Sequence, residues 1–193
     1  MYERVDEVLE GLVRRIRMIF SKYRRLAFDE LNVVSDVRKL YEELDNASRS
    51  AFGDIYEYYY TMEAPGIETQ PDGWLDKFLA QPSPVIKYAW TTEALRKRDH
   101  LTESLIATKG LVTEYDYAMR YWTRMSGWFA VDVADAALMQ SRRDTGVTLV
   151  MWKAEDDDRT CVTCWDLDGK IFPLNSVPIK PHPNCRCWTV KVR

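Results

Sequence analysis

The chain has 193 residues, of which 46% are apolar and 30% charged, with a formal net charge of −3. That balance excludes a disordered polyelectrolyte, and it excludes a protein that grips nucleic acid through its whole-molecule charge. The length fits one large domain, or one domain with a small satellite, and no segment reaches the ~20 consecutive apolar residues of a membrane helix.

The first segment carries a helical beat. Val5, Leu9, Leu12, Ile16, Ile19, Tyr23 and Leu26 fall at alternating steps of four and three, which predicts an amphipathic helix with a narrow seam. Arg14, Arg15, Arg17, Lys22, Arg24 and Arg25 surround the seam. Narrowness and flanking charge predict an interaction element rather than a core helix. A second helix is expected from about Ser35, a candidate N-cap, to Thr61, with Val37, Leu40, Leu44, Ala47, Ala51 and Ile55 as its apolar line. The two form a helical hairpin over residues 1–62. Tyr56, Tyr59 and Tyr60 share one face near its end and are candidate partner-binding residues. Seven tryptophans and eleven tyrosines in the chain support an interface, since such side chains anchor protein contacts.

Residues 63–86 read as a linker with one short helix, "WLDKFLA", between breaker-rich stretches. A helical region follows over 87–145, with Gly110 and Gly127 as candidate breaks and an alanine face at Ala130, Ala134 and Ala137. After Gly146 the texture changes. "VTLVMWKA", "LDGKIF" and "CWTVKV" read as three short strands, with Asp168-Gly169 as a turn pair. The expected fold class is α+β, mainly α: hairpin and helical bundle, then a small three-stranded antiparallel β module over 146–193.

All four cysteines and one of the two histidines lie in that module: Cys161-x2-Cys164, seventeen residues, then His182-x2-Cys185-x-Cys187. Two ligands two residues apart grip one ion from a tight turn, and a second group some 15–20 residues later completes a tetrahedral site. Thiolate and imidazole donors favour zinc. Five donors compete for four places, so the choice among His182, Cys185 and Cys187 stays open. Met1 is followed by Glu3, Asp6 and Glu7 without an apolar run, so no signal peptide is expected and a reducing cytosol argues against disulfides. A zinc hydrolase helix His-Glu-x-x-His and the deaminase pattern are both absent from the sequence. A structural zinc that staples three short strands is the expectation, and no enzyme activity. The alternative is a zinc-dependent nucleic-acid enzyme such as a small nuclease. It lacks a nameable general base, with Asp156, Asp157 and Asp158 the nearest acids.

"W-x5-D-R-T-C-x2-C-x2-L-D-G-K-I-F", starting at Trp152, together with "P-H-P-N-C-R-C" from Pro181, resembles the signature of the phage Mu protein F-like head morphogenesis family. These are minor head, or minor capsid, proteins of tailed phages. The resemblance spans residues 87 to 193, and no motif places the first 80 residues. It implies a virion component at the capsid interior or portal vertex, present in the host cytoplasm during assembly. It further implies binding to the portal protein, with major capsid or scaffold proteins as other partners, and a part in head assembly and DNA packaging or ejection. Contact with DNA is expected to be weak or absent. Lys180, Arg186, Lys191 and Arg193 are the residues that would make it.

Overall fold

The computed structural model describes residues 2–67, 73–158 and 160–192. Five helices come first: α1 (Glu3–Arg24), α2 (Val33–Glu63), the short α3 (Trp74–Leu79), α4 (Trp90–Ala107) and α5 (Val112–Asp144). Strand β1 (Leu149–Lys153), the one-and-a-half-turn helix α6 (Val162–Leu167), β2 (Ile171–Pro173) and β3 (Trp188–Lys191) follow. The sheet is antiparallel with order β2-β1-β3, and it pairs Val150 with Phe172 and Trp152 with Thr189.

The first helix is a core helix, contrary to the sequence expectation. Val5, Leu12, Ile16, Ile19, Phe20 and Tyr23 are all buried. They join residues of α2, α4 and α5 in one apolar cluster. With this seam α1 packs against both α2 and α5. The bundle thus has one core on both sides of the linker, and the aromatic load belongs largely to it. Trp90 lies at its centre. Its ring meets Phe52 at 5.0 Å, Trp122 at 5.0 Å and Phe129 at 5.3 Å, all edge-on. Both indoles have acceptors: Trp90 Nε1 donates to Asp45 at 2.6 Å and Trp122 Nε1 to Ser48 at 3.1 Å. This is how a tryptophan enters a core without orphaning its N–H.

Helix boundaries follow local chemistry. Asp29 starts α2 earlier than Ser35 suggested, because its carboxylate accepts from the Leu31 amide at 3.0 Å and its carbonyl from the Val33 amide at 2.9 Å. Gly110 does separate α4 from α5. Its φ is +79°, and a Cβ there would stand 2.5 Å from Phe28 Cβ, so only glycine fits. Gly127 causes no break. Met125, Ser126, Phe129 and Ala130 beside it are buried, and this packing outweighs the ~1 kcal/mol that glycine costs in a helix.

Two polar ties join the β module to the bundle. Arg142 of α5 is completely buried; its guanidinium makes a two-pronged bond to Glu63 of α2, both at 2.8 Å, and reaches the Thr189 carbonyl at 2.7 Å and the Thr189 hydroxyl. At the other tie, Lys180 bridges Asp135 of α5 at 2.7 Å and the Cys185 carbonyl at 3.1 Å.

Candidate metal centre

The loop after β1 and the loop before β3 bring the five sulfur and nitrogen donors together. Cys161 is the N-cap of α6, and Cys164 sits in its first turn. The sequence reading placed this pair at a turn followed by a strand; a short helix intervenes, and its first turn sets Cys164 three residues on. Asp168 (φ −55°, ψ 133°) and Gly169 (φ +73°) then form a type II turn closed by Lys170 N to Leu167 O at 3.0 Å. Asp168 also accepts from the Ala154 amide at 2.8 Å, which fixes α6 against the end of β1.

On the other side, Pro183 and Asn184 occupy the two central turn positions between His182 and Cys185. Asn184 has φ +60°, and the Cys185 amide donates to the His182 carbonyl at 3.3 Å. Proline followed by a residue with positive φ is the type II pattern, and it folds His182 back beside Cys185.

The donor atoms of Cys161, Cys164 and His182 lie within 4.8 Å of one another, as do those of Cys164, Cys185 and Cys187. Cys164 belongs to both groups. Its sulfur is 3.4 Å from that of Cys185, and all four thiols are free. Tetrahedral thiolates around one ion stand about 3.8 Å apart, given metal–sulfur bonds of about 2.3 Å, so the spacing fits ligation. It does not fit a disulfide pair.

The electrostatics agree. Burial, with the neighbouring thiols, pushes the Cys164 thiol far above its ordinary value, and burial pushes Cys185 up as well. Cys161 moves down: burial opposes ionisation there, but the Cys164 amide, the Cys164 thiol and His182 outweigh it. A pocket of this kind does not hold several thiolates at once unless a cation joins them. The wall is apolar, with Trp152, Leu167, Phe172 and Val177 packed on the cysteines. A cleft of about 260 Å³ lies over the cluster, bordered by Tyr2 and Leu9 at the α1 end and by Val131 of α5.

The remaining candidates fall elsewhere. Tyr56, Tyr59 and Tyr60 are buried inside the chain: Tyr56 stacks on Trp74 at 4.0 Å, Tyr59 is fully enclosed, and Tyr60 donates to Asp144 at 2.7 Å. They face this core. Of the acids considered for a nuclease, Asp157 accepts from Thr160 at 3.2 Å and pairs with Arg186 at 3.5 Å, while Asp156 and Asp158 are exposed. The expected DNA-contacting cations are largely neutralised. Lys180 pairs with Asp135, Arg186 with Asp157 and Lys191 with Glu63, the last at 3.5 Å. Arg193 lies outside the described residues, as does Arg159 of the motif. Sequence reasoning missed Tyr2 and Asp135, which with Lys180 hold the back of the site. No spacing signal links residues that far apart.

Residues 107–190 match the model of the family described as phage Mu protein F like protein. The C-terminal part of the chain is thus similar to that family. The matched segment contains α5, β1, β2, all of β3 but Lys191, and all five candidate ligands. No curated protein and no solved structure matches the chain significantly. Among the described residues no helix is long and apolar enough to cross a membrane.

Proposed function

We propose that the chain is a structural minor head protein of a tailed phage that docks on the portal and acts during head assembly and DNA packaging or ejection. The single observation that carries the proposal is the family match over the module that contains the cysteine cluster. In this reading the cluster holds one structural zinc. Soft sulfur donors with one imidazole select zinc over magnesium or calcium, and five protein donors leave no need for a water in the coordination sphere. The ion acts as a staple. The second apolar cluster consists of Trp152 and three cysteines with a few partly buried neighbours, which is too little to hold three short strands alone.

The portal-facing surface is assigned to one end of the bundle. Leu26, Phe28, Leu31 and Val34 of the α1–α2 connection are exposed, and so are Leu111 and Val112 at the start of α5. Leu31 is 92% exposed. The two connections meet where Gly110 passes Phe28. A patch of this kind marks an interaction site in soluble proteins. Co-expression with the cognate portal protein and affinity capture tests the proposal: the wild type co-purifies, and Leu31→Asp with Val112→Asp does not. Failure of the wild type to co-purify at low salt overturns it.

A further inference from the structure

We infer that the apolar cleft formed by α3, α5 and the loop before β3 is a binding site for an uncharged, extended peptide segment of a partner protein. It follows the last third of α5, whereas the apolar patch assigned to the portal lies at the start of that helix. The inference depends neither on a bound ion nor on the portal reading.

The cleft has a volume of about 400 Å³ and opens where the bundle meets the β module. Binding sites favour such junctions and volumes of this order. Its walls are mostly apolar. Trp74 and Phe78 of α3 stack at 5.0 Å, and Tyr56 backs Trp74 at 4.0 Å. Trp152, Trp188 and Ile179 also line it, and Ile179 is 60% exposed. Two polar side chains of the wall carry unsatisfied atoms. Trp152 is only 2% exposed, yet its indole N–H has no acceptor, unlike those of Trp90 and Trp122. Asp132 of α5 has one buried carboxylate oxygen without a donor. Buried polar atoms are nearly always paired, so two orphans on one apolar wall point to a ligand.

Three features define the occupant. First, an indole N–H only donates and a carboxylate only accepts, so the occupant must bring one acceptor and one donor. A peptide unit has both, as its C=O and its N–H. Second, those groups must be free. A helix spends them on its own internal bonds, whereas an extended segment leaves them available. Third, the charged side chains of the wall cancel, with Asp132 and Asp135 set against Lys180 and Arg143. Lys180 is already paired with Asp135 at 2.7 Å. That balance favours an uncharged segment, and the aromatic wall favours an aliphatic or aromatic side chain within it.

The test is a titration of the isotope-labelled full chain with the blocked tripeptide acetyl-Ala-Leu-Ala-methylamide, read from the NMR signal of the Trp152 indole N–H. The wild type is expected to bind the peptide saturably, with the Trp152 signal moving downfield as the N–H gains an acceptor. Replacing the central leucine of the peptide by lysine or by glutamate should weaken binding about tenfold. Ile179→Asp, at an exposed position in the cleft, should weaken it by a similar factor with unchanged circular dichroism. Asp132→Leu should weaken it several-fold. Leu31→Asp with Val112→Asp, at the patch assigned to the portal, should leave it unchanged. No saturable shift of the Trp152 signal, equal binding of the neutral and charged peptides, or wild-type affinity in both Ile179→Asp and Asp132→Leu would each overturn the inference.

Discussion

The Tyr2 phenol oxygen lies 3.2 Å from the backbone oxygen of Cys187, across a sequence separation of 185 residues. The phenol donates to Asp135 at 2.6 Å and accepts from Lys180 at 2.5 Å. Burial, with Asp135 beside it, pushes its pKa well above the usual tyrosine value, so it remains a donor at any physiological pH. The start of α1 is therefore a structural part of the cysteine module. Tyr2→Phe should cost about 1.5–3 kcal/mol, the worth of a buried bond to a charged acceptor, as measured by urea unfolding. Unchanged stability would mean that Lys180 and Asp135 hold each other without the phenol.

Arg142 presents a larger cost. Its guanidinium and Glu63 are both removed from solvent, and Thr189 accepts two of its remaining protons. Removing Arg142 leaves the Glu63 carboxylate only the partly exposed Lys191, at 3.5 Å, and takes both guanidinium bonds from Thr189. Arg142→Ala should destabilise by about 3–5 kcal/mol. Arg142→Ala combined with Glu63→Gln should recover part of that loss in the same unfolding assay.

Asp132 supplies the pH dependence. Burial pushes its carboxyl up to about 6, helped by Asp135, while the Ser83 hydroxyl and Lys180 pull the other way. One of its oxygens has no hydrogen-bond partner. A folded pKa above the unfolded value means that the folded state binds the extra proton. The contribution is complete below about pH 4 and is lost as pH rises through 6. Asp132→Asn should therefore be more stable than wild type at pH 7.5, by up to about 2–3 kcal/mol, and closely matched to it at pH 4. Paired melts at the two pH values measure the difference.

Deletion of residues 1–30 should unfold the bundle. It removes six buried apolar side chains of α1. At ~1.5–3 kcal/mol each, these rival a typical net stability of ~5–15 kcal/mol. Loss of most helical signal is the expected result; a soluble, fully helical remainder would contradict the packing of α1.

The sequence legibly encoded what is local. Helix periodicity gave α1, α2, α4 and α5, Asp168-Gly169 marked the turn before β2, and cysteine spacing marked the centre. What it hid is tertiary. The seam of α1 looks the same whether it meets a partner protein or meets α2 and α5. The tyrosines at 56, 59 and 60 look like anchors until Trp74 and Tyr2 are seen to cover them. Lys180 reads as a free cation because its partner Asp135 stands on another helix.

Cys164 occurs in both donor groups, so its loss should abolish ligation, whereas loss of His182 or Cys187 alone leaves an intact group of three. Metal content by elemental analysis, on protein purified without added metal, tests the staple directly. The wild type should carry one zinc per chain, and Cys164→Ser should carry none, losing the β module while α1–α5 stay helical by circular dichroism. Wild-type protein that is folded without metal, or Cys164→Ser that keeps a full complement, would contradict the account.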